Sequence, residues 1–295
     1  HTCHGLVFES KTGLLRRLLA ATEHLTCRWA TGVLAVSDSV RRVLASLPAC
    51  EPAKIRVLGS GACAGIDPRR FDPALHGPAK AARYRERLGI PAGSPAIGFV
   101  GRIVRDKGIE DLAAAWQILR GAFRDAHLVI CGDFESHDPV SPAVARQLEQ
   151  DPRVHLSGGF LDDMPSLYAA IDLCVLPTYR EGLPNVLLEA GAMERPVVAT
   201  RVTGCVDAVR DGVTGILVPP RDPARLAEAI GGLLRDPDRR VAMGAAARRY
   251  VTAEFSEEQV TARLLAEYRR LLDESRRPLP GAAGCRESTH VETLV

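Results

Sequence analysis

Residues 154–200 read VHLSGGFLDDMPSLYAAIDLCVLPTYREGLPNVLLEAGAMERPVVAT, and their pattern is that of an α/β protein. Three short apolar runs, VHLSGG, DLCVLP and RPVVAT, are separated by two runs whose apolar residues recur at helical spacing. Strands that alternate with helices of this length are typical of βαβ units, in which consecutive strands lie parallel. The stretch therefore predicts part of a parallel sheet that is covered by helices.

The alternation continues on both sides of this stretch. Upstream, the strand-like run AIGFVG precedes a helical pattern from Ile109 to about Ala122. The strand-like run HLVICG precedes the helical pattern SPAVARQLEQ. Downstream come the strand-like run GILVPP and helices that begin at Pro223 and Glu257. These runs extend the predicted sheet to residues 96–273.

The amino-terminal residues contain a shorter series of the same kind. The strand-like runs HTCHGLVF, GVLAVS and KIRVLGSG alternate with two helical runs, of which the second has Ser37 or Asp38 as its cap. The alternation predicts a second α/β unit, and the start at His1 rather than at Met suggests that the unit is incomplete and that the chain is a fragment.

Two such units predict two Rossmann-like, doubly wound domains that face a cleft. We expect residues 1–60 to be the remainder of an amino-terminal domain and residues 96–273 to form the carboxy-terminal domain. Residues 61–95 carry Gly, Pro and charge without clear periodicity and predict a linker region. The polar residues 274–295, which contain Pro and Gly, predict a disordered tail.

Composition excludes several classes of protein. With 295 residues, 46% of them hydrophobic, the chain can bury two cores, and its net charge of +2 gives no signal for nucleic acid. Eight cysteines without a Cys-x-x-Cys pair favour a reduced, cytoplasmic protein over a disulfide scaffold or a zinc site. No signal peptide opens the chain, and no apolar run reaches the roughly 18 residues of a membrane span, so we do not expect an integral membrane protein.

The loop that follows AIGFVG carries two cations. Arg102 and Lys107 precede Gly108, which opens the next helix. Free N–H groups at a helix start attract anions, and two cations would add to that attraction. The arrangement predicts a cradle for a diphosphate, although two solvated surface cations would give the same pattern.

A second loop places two acids on either side of a helix start. In EGLPNVLLEA, Gly182 permits a tight turn, Pro184 suits the first turn of a helix, and Glu189 lies two turns beyond Glu181. A carboxylate buried in such a unit needs hydrogen-bond donors, and ligand hydroxyls would supply them. The alternative is that Glu189 lies on a solvated face and that Glu181 is a charge favoured by the helix dipole.

Three stretches together carry a resemblance to a known family. GRIVRDKG, residues 154–200 and TGCVDAVRDGVTGILVPPRDPARLAEAI resemble the carboxy-terminal domain of retaining family-4 (group 1) glycosyltransferases with the GT-B fold. The resemblance covers about residues 1–273, and the two glutamates of EGLPNVLLEA, with seven residues between them, are its most specific part. It implies a hexosyltransferase-type glycosyltransferase that moves a sugar with retention from a nucleotide diphosphate donor, UDP by default. The implied acceptor is a glycan or a polyprenyl-linked molecule of cell-surface polysaccharide or glycoconjugate synthesis.

The resemblance also implies roles for single residues. Glu181 would contact hydroxyls of the donor sugar as a catalytic and donor-binding residue, helped by main-chain N–H groups of Gly182, Leu183 and Asn185. Glu189 would take the ribose hydroxyls. The amino-terminal domain would be the acceptor side, and the carboxy-terminal domain would bind the nucleotide-sugar.

By the same resemblance, Arg102 and Lys107 would hold the donor diphosphate. Departure of the diphosphate builds negative charge, which these cations and helix N–H groups would stabilise, so no metal or other cofactor is expected. The run Asp236–Asp238 matches an Asp-x-Asp metal motif, but its position between two late helices favours capping and a turn.

The run HTCHG looks like the family's His-Gly loop at a strand end. His4 would lie near the anomeric centre of the donor and is a candidate catalytic residue, with His1 a weaker candidate. A single histidine in a loop is more often structural. The family's first strand and glycine-rich loop have no counterpart here, which puts catalysis by this chain alone in doubt.

The amino-terminal residues carry a local positive charge. Residues 1–60 hold eight basic and four acidic residues, and GLLRRLL adds an apolar run. An anionic membrane surface on the inner, cytoplasmic face is therefore a candidate partner for peripheral binding. An ordinary amphipathic helix with a solvated basic face explains the same pattern.

Other functions leave different signatures. A nicotinamide oxidoreductase would carry G-x-G-x-x-G after its first strand, and GFVGRIVRDKG does not match it. A sugar-nucleotide epimerase of the same fold and a non-catalytic nucleotide-sugar-binding protein remain as alternatives. The sequence does not decide the donor sugar, the nucleobase, the acceptor, the linkage or the oligomeric state.

Overall fold

The computed structural model describes residues 1–47, 51–61, 64–159 and 163–275, whose strands form two parallel sheets. The smaller sheet has the order β1-β2-β3, and the larger has the order β6-β5-β4-β7-β8-β9. The strands are β1 (Thr2–Cys3), β2 (Val33–Ala35), β3 (Ile55–Arg56), β4 (Ala96–Val100), β5 (His127–Cys131), β6 (Val154–Leu156), β7 (Leu173–Leu176), β8 (Val197–Thr200) and β9 (Gly215–Val218).

Helices lie between consecutive strands, and in the described residues three more follow the last strand. They are α1 (Gly13–Trp29), α2 (Asp38–Ala45), α3 (Pro78–Leu88), α4 (Ile109–Ala122), α5 (Pro142–Gln150), α6 (Met164–Ala170), α7 (Asn185–Ala192), α8 (Cys205–Ala208), α9 (Pro223–Arg235), α10 (Pro237–Glu254) and α11 (Glu257–Ser275). Ser37 caps α2 by accepting from the N–H of Val40, which decides between the two predicted caps. Asp236 caps α10 through the N–H of Arg239, which confirms that Asp236–Asp238 is a capping turn.

The larger sheet is covered on both faces, because every residue of β4, β5, β7 and β8 is buried. Helix α4 packs against α5 and α9, while α3 packs against α6, and α7 against α10. Parallel strands with both faces buried and helices between them form a doubly wound sheet, which confirms the predicted α/β class.

The order of strands in the larger sheet creates a switch point between β4 and β7. From β4 the chain adds β5 and then β6 on one side, and it returns to add β7 on the other side of β4. Loops that leave the carboxyl ends of β4 and β7 therefore diverge and leave a crevice between them. Arg102 follows β4 and Glu181 follows β7, so the predicted site lies at this crevice.

The segment predicted as a linker contains a helix that its sequence pattern did not predict. Helix α3 lies within residues 61–95, and its Tyr84, together with Ile90, is buried in the core of the larger sheet. The helix escapes detection because five of its eleven residues are charged and only Tyr84 is buried, which leaves too few apolar positions for a clear period. The predicted disordered tail lies, from residue 276 onward, outside the described residues.

The smaller sheet has its own core, and the last helix returns to it. Cys3, Val33, Val40 and Leu44 belong to that core. On α11, the buried Glu267 accepts from Arg56 of β3 at 2.9 Å. Helix α11, which follows the helices of the larger sheet, is thus bound to a strand of the smaller sheet. In the part of the chain that the structure describes, no helix is long and apolar enough to cross a membrane.

Candidate functional site

The loop between β4 and α4 is shaped by glycine. Gly108 has φ 72° and forms the N-cap of α4, and a Cβ at this position would lie 1.9 Å from the carbonyl oxygen of Pro177. Both the left-handed backbone and the close approach exclude other residues. The turn Arg105–Lys107, just before Gly108, therefore lies against the chain that leaves β7, and the N–H of Tyr179 donates to the carbonyl oxygen of Asp106.

Lys107 reaches from this loop to the β7 side of the crevice. Its Nζ lies 2.5 Å from Oε1 of Glu181, and the two side chains are only 20% and 12% exposed. The pair is shielded from water, so its attraction is stronger than that of a surface ion pair. The structure therefore brings together two predicted residues that are far apart in the sequence.

Arg102 is held at the opposite wall of the same crevice. Its Nη1 donates to Oε2 of Glu135 at 3.2 Å and lies 3.2 Å from Nε2 of His137. The side chain is 45% exposed, so the guanidinium retains donors that face solvent. Arg102, Lys107 and Glu181 line one cavity of about 190 Å³ with Pro184.

The start of α7 lies beside this cavity. Its N-cap is Pro184, and no side chain caps the helix, so N–H groups of its first turn have no side-chain acceptor. Leu183 contacts the cores of both sheets, and Asn185 is the first residue of the helix. The predicted residues Gly182, Leu183 and Asn185 are therefore grouped with Glu181 at one helix start.

Glu189 lies farther along α7 and does not line this cavity. Its Oε2 accepts a hydrogen bond of 2.8 Å from the hydroxyl of the fully buried Tyr168 on α6. Burial raises the pKa of Glu189 above its ordinary value, while the bond from Tyr168 and the nearby Arg70 act in the opposite direction. The solvated-face alternative for Glu189 is wrong, because the carboxylate is largely buried and already has one donor.

The backbone of His4, in the domain of the smaller sheet (the smaller domain), contacts the domain of the larger sheet (the larger domain). A Cβ at Gly182 would lie 1.8 Å from the carbonyl oxygen of His4, so only glycine permits this contact. His4 itself is exposed and lines a separate cavity of about 120 Å³, together with Leu34, Leu58 and Tyr268. Its catalytic role stays a prediction.

Two serines join the smaller sheet to the crevice and were not predicted as site residues. The Oγ of Ser37 donates to the carbonyl oxygen of Gly182 at 2.8 Å. The Oγ of Ser39 accepts from the N–H of Gly204 at 2.8 Å and donates to the carboxylate of Asp207. These bonds fix the position of the smaller domain beside Glu181.

Two further residues beside the candidate site, Glu135 and Tyr168, were not predicted from the sequence. Nothing in local spacing relates Glu135 to Arg102, since 33 residues separate them. Tyr168 gives a weak signal, because a tyrosine in an apolar helical run needs a partner for its hydroxyl. That signal does not identify Glu189 as the partner.

Potential metal ligands gather elsewhere, on the smaller domain. Side-chain atoms of His1, Glu23 and Cys27 lie within 4.8 Å of one another. His1 Nε2 is 2.9 Å from Oε1 of Glu23, so a hydrogen bond accounts for that contact. This group is not part of the β4–β7 crevice.

The crevice combines groups that suit one kind of ligand. Arg102, Lys107 and the uncapped start of α7 attract anions. Glu181 in the cavity, and Glu189 farther along α7, are carboxylates and accept hydrogen bonds, as hydroxyl-bearing ligands require. A ligand with phosphate groups between two polyhydroxyl parts would match both features.

Comparisons with known proteins identify the family. Residues 94–236 match the family described as Glycosyl transferases group 1. The capsular polysaccharide biosynthesis glycosyltransferase CapM of Staphylococcus aureus is 32% identical over 275 residues, which cover 93% of this chain and 71% of CapM. The chain therefore belongs to the group 1 glycosyltransferases.

Solved structures agree with the fold. Sucrose-phosphate synthase from Thermosynechococcus elongatus has a TM-score of 0.78 and 28% identity, covering 93% of this chain and 68% of that protein. Anabaena HepE, solved in complex with UDP-glucose, has a TM-score of 0.78 and 22% identity, covering 91% of this chain and 72% of HepE. The fold is GT-B, as the resemblance implied. The named relatives do not favour an epimerase.

Proposed function

We propose that this chain carries the donor site of an enzyme that transfers a sugar, with retention, from a nucleoside diphosphate sugar. UDP is the expected nucleotide, and a glycan or polyprenyl-linked molecule is the expected acceptor. One observation carries the proposal: the Lys107–Glu181 pair and the uncapped start of α7 share one cavity at the β4–β7 switch point. Ligands of doubly wound sheets bind at such points.

The diphosphate would occupy the cavity between Arg102 and the start of α7. As phosphate oxygens enter, Lys107 would exchange its contact with Glu181 for a contact with the phosphate, because a diphosphate carries more charge than one carboxylate. Glu181 would then accept hydrogen bonds from the donor sugar. The negative charge that builds on the leaving diphosphate would be stabilised by Arg102, Lys107 and helix N–H groups.

The ribose would bind at Glu189. Tyr168 occupies Oε2 of this carboxylate, which leaves Oε1 for a ribose hydroxyl. A buried carboxylate that lacks donors is costly, so ribose hydroxyls would also reduce the cost of burying Glu189. Glu181 would thus bind the sugar of the donor, and Glu189 would bind its nucleoside.

Labelled donors test the proposal in two steps. Thermal unfolding with UDP-, GDP- and ADP-sugars identifies the nucleotide, because a ligand that binds the folded state raises the unfolding temperature. Incubation of the labelled donor with and without a lipid extract of acceptors then distinguishes the activities. We expect transfer only with acceptor; epimerised donor without acceptor, or binding with no turnover, would contradict the proposal.

The same proposal extends to an anionic membrane surface. Helix α1 exposes Leu14, Leu18 and Trp29, at 82%, 60% and 78%, and it carries Arg16 and Arg17 beside them. Exposed apolar side chains next to arginines suit the interface of an anionic bilayer. In flotation with vesicles of phosphatidylglycerol at low salt, we expect the protein to float, and the variant Leu14→Ser/Leu18→Ser to remain in the dense fraction. Equal behaviour of the two proteins would contradict membrane docking.

A further inference from the structure

A second and larger cavity lies at the other edge of the sheet from the candidate donor site. It has a volume of about 660 Å³ and includes Gly93, which precedes β4, Ala169, which precedes β7, and Arg195, which precedes β8. These residues stand at the amino ends of the strands, whereas Arg102 and Glu181 follow the carboxyl ends. The five residues of β4 separate the two edges by about 16 Å.

The walls of this cavity are mainly apolar. Helix α3 presents Pro78, Ala81 and Ala82 along one side, and Ile90 and Ala169 close the other side. The volume is within the range of sites that bind small organic molecules. Such walls would receive the carbon body of a ligand.

Four side chains in the walls are polar or charged, namely His76, Arg85, Glu86 and Arg195; Glu86 is exposed, and two of the others are bound to protein. The guanidinium of Arg85 donates to the carbonyl oxygens of Ala170 and Ser94 and to the carboxylate of Asp172, at 2.7, 2.8 and 3.0 Å. Nδ1 of His76 lies 3.2 Å from the hydroxyl of Ser166. Arg85 is therefore a structural residue that joins α3 to the sheet.

Arg195 differs from Arg85 although both line the same cavity. Within the described residues its guanidinium makes no hydrogen bond and no ion pair, and its Nε is buried without an acceptor. Burial lowers the pKa of Arg195 from its ordinary value, although Asp172 and Glu194 act in the opposite direction. Arg195 lines the cavity, so an anion there would meet its terminal guanidinium nitrogens, whose donors no described protein group uses.

We propose that this cavity binds a small organic anion, a phosphomonoester or a carboxylate, whose charged group pairs with Arg195. The planar guanidinium offers several donors to one phosphate or carboxylate. The carbon body of the ligand lies on Pro78, Ala81 and Ile90. The site is separate from the donor site and does not depend on the function proposed for it.

Calorimetric titration with three related probes tests charge and apolar contact separately. Phenyl phosphate has both features, inorganic phosphate has the charge alone, and benzyl alcohol has the ring alone. We expect phenyl phosphate to bind more tightly than inorganic phosphate and benzyl alcohol not to bind. No binding of phenyl phosphate to the wild-type protein at about 10 mM, where even a weak site with millimolar Kd would be occupied, overturns the proposal.

Variants assign the binding to this cavity. Arg195→Met should weaken phenyl phosphate by about 10- to 150-fold, the loss expected for hydrogen bonds to a charged group. Arg146→Gln is the matched control, because Arg146 is exposed on α5. This variant should bind phenyl phosphate as tightly as the wild type does. Lys107→Ala should also leave the affinity unchanged, which excludes binding at the donor site. Equal affinity of Arg195→Met and the wild type overturns the proposal.

A second variant leaves Arg195 in place. Ala82 is exposed on α3 and lines the cavity, so Ala82→Glu adds a negative charge without disturbing a buried contact. We expect this variant to fold and to lose binding of phenyl phosphate. The Ala82→Glu variant tests the proposal even if Arg195→Met does not fold. If Ala82→Glu binds phenyl phosphate as tightly as the wild type, the proposal is overturned.

Discussion

At Glu189, burial and hydrogen bonding act on the carboxylate in opposite directions. Burial raises its pKa, and the hydroxyl of Tyr168 lowers it by donating to Oε2. Tyr168 is itself buried, and its pKa is raised by burial and by the charge of Glu189, so it remains the proton donor of the pair. The hydrogen bond from Tyr168 therefore favours the ionised form of Glu189 and orients its carboxylate, which in the proposed site would accept from a ribose hydroxyl.

Tyr168→Phe removes this bond and should weaken UDP binding by about tenfold, the value of one hydrogen bond to a charged group. Loss of the bond raises the pKa of Glu189 further, so protonation of Glu189 begins at a higher pH in the variant. As the pH falls, the variant should lose affinity earlier than the wild type. Calorimetric titration of UDP between about pH 5 and pH 8 measures both effects.

Tyr84→Phe is the matched control for this prediction. Tyr84 is also buried, but it lies on α3 and makes no contact with Glu189. Its variant should follow the wild-type pH profile. If Tyr168→Phe follows that profile as well, Tyr168 has only a structural role.

At the scale of elements, α7 carries Asn185 and Glu189 of the proposed site and ends in a strained turn. The N–H of Arg195 bonds to the carbonyl oxygen of Ala190, and that of Glu194 to Gly191, the pair of bonds that closes a Schellman motif. Glu194 has φ 58°, a left-handed conformation that glycine adopts without strain. The left-handed backbone of Glu194 therefore lowers the free energy of unfolding slightly.

Glu194→Gly should raise the free energy of unfolding by about 1 kcal/mol, because the strain of a left-handed residue exceeds the entropic cost of glycine. Glu194→Ala is the control, since alanine keeps the Cβ and the strain. Chemical denaturation of both variants measures the difference. Equal stabilisation by alanine and glycine would mean that the charge of Glu194, and not its backbone, is responsible.

Elements with strong apolar periodicity could be predicted, whereas side-chain partners could not. The strand-like runs within residues 154–200 form β6, β7 and β8; β7 and β8 are buried throughout, and β6 buries Val154. Helix α3 was missed because only Tyr84 is fully buried on it. The contact between Lys107 and Glu181 spans 74 residues and depends on β4 lying next to β7, which local patterns do not reveal.

At the scale of the whole molecule, the two domains meet where Gly182 touches the backbone of His4. The bonds of Ser37 to Gly182, and of Ser39 to Gly204 and Asp207, lie on the same interface. Because Glu181 precedes Gly182, a displacement of the smaller domain also moves the site. The position of the smaller domain and the geometry of the proposed donor site are thus coupled through one short loop.

Gly182→Ala places a methyl group 1.8 Å from the carbonyl oxygen of His4, so the domains must separate locally. We expect transfer to fall by about 100-fold, the usual effect of displacing reacting groups by an ångström. Gly232→Ala on α9 is the control, because a Cβ there meets no atom within 4 Å. It should retain full activity and gain up to about 1 kcal/mol in stability. Equal activity of the two variants would show that the interface does not position the site.

The most direct test of the proposed donor site compares UDP binding by Glu181→Ala and Glu189→Ala, measured calorimetrically beside their rates with intact donor. Glu189→Ala should weaken UDP and UDP-sugar alike, by about 10- to 150-fold, because both carry the ribose. Glu181→Ala should leave UDP affinity equal or tighter, since it releases Lys107 for the phosphate, while transfer is lost. If Glu181→Ala instead loses UDP affinity as severely as Glu189→Ala and keeps its fold, the two acids do not divide the donor between them and the account is contradicted.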